Sequence, residues 1–203
     1  MAIKNYIWDF DGTLFDTYPA MVEGAEKALR HFDVVLSKKE IYRIMKQEST
    51  QTLRKQYGLS EEEFGPLFHQ YEQESTLLSA PFEDTEKVLR ILKERGAKHY
   101  ILTHRNTAST WNLLEKFGIE NLIDEVIGID QDFPRKPAPD AINYLIATFE
   151  LMKADTLMIG DRRLDILAGK NAGILTCLYD LDHFLGEIPA DFIVSQLSEI
   201  PTI

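Results

Sequence analysis

The chain is poor in cysteine: Cys177 is the only one among 203 residues. No intrachain disulfide can form. Cys177 lies in the apolar run Ile174 to Leu178, which reads as a buried inert thiol and not as a nucleophile. Long hydrophobic stretches are lacking too. Nothing approaches the roughly 20 apolar residues of a membrane span, and no basic-then-apolar start marks a signal peptide. A cytoplasmic protein with no membrane partner is the expectation. Positive charge is scarce, with 22 Lys and Arg against 33 Asp and Glu, a net charge of −11. That excludes the basic surface a nucleic-acid partner requires. There is no internal repeat and no low-complexity segment. The hydrophobic fraction of 44% is ordinary for a globular chain. Monomer and homodimer are both compatible with this composition.

What is present is concentrated first at the N-terminus. Ile3 to Trp8 reads as a buried strand. It runs into Asp9 and Asp11, spaced i, i+2, so both carboxylates share one face of an extended segment. Gly12 then permits a sharp turn. Two like charges on one face repel, and a cation or a shared proton relieves the repulsion. The stretch therefore asks for a hard metal ion, a proton-shuttling pair, or both. Capping a turn is a costly use for two acids at a buried strand end.

Beyond this strand, residues 17–80 read as helices only. Pro19 suits a first turn, with Thr17 or Asp16 as cap, and that helix runs to about Phe32. Ser37 caps a helix to about Met45. Lys46 to Thr52 is a loop or the start of a third helix, which Gly58 ends. Ser60 and Glu63 form a capping box for a helix to about Leu78, with Gly65-Pro66 expected to disturb its first turn. From Pro81 onward helices and strands alternate. Strands are predicted at Lys98–Leu102, Glu125–Ile129, Thr156–Ile159, Ile174–Tyr179 and Phe192–Val194. The intervening helices are predicted after Asp84 and at Thr107–Phe117, Pro137–Phe149 and Arg162–Asn171. Such alternation implies an α/β fold with a parallel sheet covered on both faces. The expected organisation is a core of residues 1–16 and 81–203 with a helical insert of residues 17–80, hinged near Leu14–Tyr18 and Ser79–Glu83. Ligands in such sheets bind at the carboxyl ends of the strands. Asp9, Asp11, Thr103, Asp130 and Asp161 all fall there.

Asp9-Phe10-Asp11-Gly12-Thr13-Leu14-Phe15-Asp16-Thr17 resembles the first motif of the haloacid dehalogenase superfamily. Ile101-Leu102-Thr103, Lys136-Pro137, and Gly160-Asp161 with Asp165 resemble its other motifs, in the same order. Within it, the phosphoglycolate-phosphatase-like and phosphoglucomutase-like members with a helical cap are the most similar. The resemblance implies a Rossmann-like core, an inserted cap and phosphoryl transfer assisted by Mg2+. It makes Asp9 the nucleophile that becomes an aspartyl phosphate and Asp11 the acid and base for the leaving alcohol and attacking water. Thr103 would hold a phosphoryl oxygen, and Lys136 would offset charge on Asp9 and the phosphoryl group. The metal would sit on Asp9, the backbone carbonyl of Asp11 and Asp161. Asp165 would support a metal-bound water or Lys136, or simply favour a helix N-terminus.

The sequence departs from the family after Thr103, where His104 and Arg105 stand, and after Asp161, where Arg162 stands. His104 and Arg105 are candidate contacts for an anionic substrate, or solvated loop side chains. Another candidate contact is Lys46, within the polar cluster Lys46, Gln47, Ser49, Thr50 and Gln51 of the insert. No glycine lies between Gly24 and Gly58, so the glycine-containing cap loop of related members is missing and no particular substrate carries over. The first expectation is thus a Mg2+-dependent phosphatase of a small phosphorylated metabolite. The alternatives are a phosphosugar mutase with the same core residues and an aspartate-phosphorylated signalling module. A signalling module would have no use for the helical insert, and a dehalogenase none for Asp11.

Overall fold

The computed structural model describes residues 2–203. The chain divides into two compact units, one of Met1–Phe15 with Ala80–Ile203 and one of Asp16–Ser79. Among the described residues, no helix is long and apolar enough to cross a membrane.

The first unit begins with β1 (Asn5–Trp8), all four residues buried. A turn around Gly12 follows, and Gly12 has φ +84°. There the N–H groups of Thr13, Leu14 and Phe15 all donate to the carbonyl of Phe10. The chain leaves this unit through β2 (Phe15–Asp16).

The second unit is helical: α1 (Tyr18–His31), α2 (Lys38–Gln47), α3 (Thr50–Gln56) and α4 (Glu61–Gln73). Ser37 and Glu40 complete a capping box on α2, and Ser49 and Ser60 cap α3 and α4. Thr17 occupies the N-cap of α1, but its hydroxyl donates to Met21 Sδ at 3.4 Å and accepts no backbone N–H of the first turn. Pro66 lies inside α4 without ending it. Phe64 and Phe68 are buried on that helix, and this packing outweighs the lost backbone bond. The core of the unit joins Tyr18, Val22, Leu29, Ile41, Leu53 and Phe68.

The chain returns through β3 (Ala80–Pro81), which pairs with β2 in a two-stranded ribbon. Then come α5 (Thr85–Glu94), β4 (Lys98–Leu102), α6 (Thr107–Lys116), β5 (Glu125–Ile127), α7 (Asp140–Thr148), β6 (Thr156–Gly160), α8 (Arg163–Ala172), β7 (Leu175–Tyr179) and β8 (Phe192–Val194). The six strands of the main sheet run in the order β5-β4-β1-β6-β7-β8, and every pairing is parallel. This is the predicted α/β class. Alternate residues feed the two faces: Tyr6, Trp8, Ile101 and Ile159 pack on one side, Ile7, Tyr100, Leu102 and Met158 on the other. Both faces are covered, which is why these strands read as continuous apolar runs.

Several boundaries differ from expectation, and α4 ends at Gln73 instead of near Leu78. β5 stops at Ile127, and Ile129–Gln131 forms a 3-10 turn instead. Helix α7 starts at Asp140, not Pro137, so Lys136 and Pro137 stay in a loop joined by a cis peptide bond.

The strand order reverses at β1. The chain goes from β1 to β4 and β5 on one side, then crosses to β6, β7 and β8 on the other. Such a switch point opens a crevice at the carboxyl ends of the central strands.

Candidate active site

Three adjacent strands each deliver one polar residue to that crevice. Asp9 follows β1, Thr103 follows β4 and Asp161 follows β6, after a register that pairs Trp8 with Ile101 and with Ile159. The site is pinned from the backbone outward. Asp9 N–H donates to the Ile159 carbonyl at 2.8 Å, and Thr103 N–H to the Ile127 carbonyl at 3.0 Å. Asp9, Thr103, Lys136, Asp161 and Asp165 are all buried.

Lys136 is the hub. Its Nζ donates to Asp9 Oδ1 at 2.6 Å and to the Leu102 carbonyl at 2.9 Å, and lies 2.6 Å from Asp165 Oδ1. Two hydrogen bonds and one ion pair thus surround the buried ammonium. Burial alone works to lower the Lys136 pKa, but the charges of Asp165 and Asp9 outweigh it and the net displacement is upward. Lys136 is therefore a fixed positive charge. The Asp9 carboxyl is also pushed upward, to about 8, first by burial and then by the Asp165 charge. Lys136 opposes that, and Asp161 adds to it.

Carboxylate oxygens from Asp9, Asp161 and Asp165 lie within 4.8 Å of one another. Nearby positive charge comes from Lys136 and from the Arg162 guanidinium, whose Nε is 3.8 Å from Asp161 Oδ1. Three buried acids against these two cations leave an excess of negative charge. Hard oxygen donors with that excess suit a hard divalent cation such as Mg2+. The fit is to Asp9 and Asp161 as direct donors, with Asp165 tied to Lys136. Asp165 also accepts from the Arg162 N–H through Oδ2 at 3.1 Å, which fixes it at the start of α8. Gly160 makes room for it. A Cβ on Gly160 would fall 2.3 Å from Asp165 Cβ and 2.4 Å from its Cγ.

The Asp11 side chain stands apart from this cluster. Its Oδ1 accepts from Arg105 Nε at 2.9 Å and lies 2.8 Å from Arg105 Nη2. Thr103 Oγ1 accepts the Arg105 N–H at 3.0 Å, so the hydroxyl proton of Thr103 remains for another acceptor.

His104, expected as an anion contact, stands against the lysine loop. Its Nε2 accepts the Lys136 backbone N–H at 3.2 Å, holding the lysine loop. Burial, and then the charges of Lys136, Arg135 and Arg162, drive its pKa far below the usual imidazole value. A neutral imidazole brings no positive charge to an anion. Lys46 lies in the helical unit, buried, with Nζ 5.2 Å from the Tyr18 ring centroid. Sequence reasoning missed the Arg105–Asp11 pair and the close approach at Gly160. The signal for the first was the departure from the family after Thr103. For the second it was a glycine directly before a strand-end acid.

A parallel α/β sheet whose central strands end in a buried carboxylate cluster around one lysine defines an α/β protein with an acidic site that has the donors to hold a divalent cation. Residues 6–179 match the haloacid dehalogenase-like hydrolase family, and the chain belongs to that family. Among similar curated proteins is pyrophosphatase PpaX of Listeria welshimeri, 26% identical, with 99% of this chain and 96% of that protein covered. Phosphoglycolate phosphatase of Vibrio parahaemolyticus is 28% identical, with 98% of this chain and 94% of that protein covered. A solved HAD-superfamily hydrolase of subfamily IA from Geobacter sulfurreducens shares the fold, with a TM-score of 0.76, 24% identity and 98% of each chain covered. The chain is an enzyme of the hydrolase class.

Proposed function

We propose that this protein is a Mg2+-dependent phosphatase that hydrolyses a small phosphorylated metabolite through an aspartyl phosphate on Asp9. The observation that carries the reading is the Lys136 ammonium shared between Asp9 and Asp165, beside Asp161, in a buried cluster. Asp9, the Asp11 carbonyl and Asp161 would hold Mg2+, with Asp165 supporting from behind. When bound, the ion supplies charge neutralisation for the phosphoryl oxygens and for the acids.

The remaining steps belong to the chain. Lys136 aims the Asp9 carboxylate and opposes the burial that favours its protonated form, and an Asp9 oxygen attacks phosphorus in line with the leaving oxygen. The Thr103 hydroxyl and Lys136 Nζ stabilise charge on the transferring group. Asp11 protonates the departing alcohol oxygen, then accepts a proton from the water that attacks phosphorus and frees Asp9. Burial of Asp9 at 1% exposure keeps stray water from its carboxylate.

The named substrates of the two curated relatives are phosphoglycolate and pyrophosphate. Each carries a second anionic group beside the scissile phosphoryl, so these two open the substrate screen. The test of the class is release of inorganic phosphate from 4-nitrophenyl phosphate by the purified protein. Turnover should require Mg2+, stop with chelator and return on adding Mg2+ back. Turnover that ignores chelator contradicts the reading.

A further inference from the structure

Arg105 is ninety-four residues from Asp11 in sequence and grips it in space. Two guanidinium nitrogens converge on the same oxygen, Oδ1, at 2.9 and 2.8 Å. The arginine is itself anchored by its backbone and by its side chain. Its N–H donates to Thr103 Oγ1 at 3.0 Å, its carbonyl accepts the Ile129 N–H at 3.0 Å, and Nη1 donates to Ser109 Oγ at 3.3 Å on α6. Both charged groups are largely shielded, the side chains being 15% and 13% exposed. Surface ion pairs are worth little, but a shielded fork on an anchored arginine fixes direction as well as charge.

We propose that Arg105 is the positioning residue for Asp11, which is the acid and base of the reaction described above. By occupying Oδ1 from two sides it leaves Oδ2 as the oxygen that exchanges protons. In the first half, the Oδ2 proton passes to the leaving oxygen as the P–O bond breaks and the Asp9–phosphorus bond forms. In the second, Oδ2 takes a proton from water as the water oxygen bonds to phosphorus and the Asp9–phosphorus bond breaks. Arg105 neither touches phosphorus nor changes protonation. It holds Asp11 Oδ1 between the turn after β1 and the loop after β4, and it links that position to Thr103.

The inference rests on the phosphatase reading, and a leaving-group series separates the two. 4-Nitrophenolate departs without a proton, whereas phenolate and alkoxides need one. kcat/KM with Mg2+ is measured for 4-nitrophenyl, phenyl and benzyl phosphates in wild type, Arg105→Gln, Arg105→Lys and Ser109→Ala. Arg105→Gln should lose about tenfold more on phenyl and benzyl phosphate than on 4-nitrophenyl phosphate, within the range one general acid contributes. Arg105→Lys should recover part of that selective loss. Ser109→Ala should show the same trend at smaller size, and it keeps the question open to decision where the arginine variant folds poorly. In an Asp11→Asn background, Arg105→Gln should add nothing further, because the two act as one unit. Equal loss across the series, a change confined to KM, or additive losses in the double variant would overturn the role for Arg105. Failure of wild type to hydrolyse any of the three with Mg2+ would instead overturn the phosphatase reading, before any variant is compared.

Discussion

Asp9, Lys136 and Asp165 form a chain of charge in which each residue answers for the next. The acids were legible in the sequence because a strand followed by a carboxylate and a turn residue has few structural reasons to exist. Lys136 was legible only by resemblance, since nothing in its neighbours says that it points inward. The packing role of Gly160 was not read, because a glycine's closeness to a side chain five residues on depends on how α8 leaves the strand. Its role gives a direct expectation. Gly160→Ala should push the Asp165 carboxylate off its place and weaken Mg2+ binding about 10- to 100-fold, the usual cost of disturbing a group that orients metal ligands. Isothermal titration with Mg2+ measures it, and unchanged affinity would mean Asp165 is not needed there.

His99 supplies a second expectation at this scale. It is fully buried, its Nδ1 accepts from Trp8 Nε1 at 3.1 Å, and its Nε2 lies 3.2 Å from the Leu89 carbonyl. Burial lowers its pKa to about 4, despite the Leu89 bond and the Asp124 charge. The folded protein therefore keeps His99 neutral while the unfolded chain protonates it below its ordinary value. The associated stability is complete above about pH 6.5 and is lost as pH falls toward about 4, on the order of 3 kcal/mol. Urea unfolding at pH 7.5 and pH 5 should show about 2 kcal/mol of this loss in wild type, and a shallower pH dependence in His99→Asn. Equal slopes would assign the acid sensitivity to other groups.

Elements followed the sequence where a cap or a breaker had a local cause. Ser37 with Glu40, Ser49 and Ser60 start their helices, and Gly58, Gly96, Gly118 and Gly173 adopt positive φ where helices end. Pro66 failed as a signal because the buried face of α4 decides that helix, and burial is not local. The same packing explains Gly24 in α1. A Cβ there would come 2.8 Å from the Glu72 backbone nitrogen and 3.0 Å from the Phe68 carbonyl oxygen. Helix propensity alone favours alanine over glycine by about 1 kcal/mol. Overpacking against backbone costs about 1–3 kcal/mol, so Gly24→Ala should destabilise the protein on balance. Thermal unfolding of the variant gives the sign, and a raised Tm would show that α1 and α4 separate easily.

Across the molecule, the sheet class was readable because strands alternate with helices after residue 80. Strand order was not, since the return of β6 to the far side of β1 depends on packing between distant segments. That return is what brings Asp161 beside Asp9. The α/β unit is also assembled from two separate stretches of chain, so the acid cluster exists only in the folded protein. Mg2+ should then stabilise folding by mass action, about 2.7 kcal/mol at a hundredfold excess over its dissociation constant. The rise in Tm should vanish in Asp161→Asn. A shift that persists there would place the ion elsewhere.

The most direct measurement is acid quenching of the enzyme during turnover of 4-nitrophenyl phosphate with Mg2+, followed by peptide mass spectrometry. A phosphoryl group on the peptide carrying Asp9, absent from Asp9→Asn along with turnover, is the expected result. Phosphate found on another residue, or turnover that survives in Asp9→Asn, would contradict Asp9 as the nucleophile and the mechanism built on it.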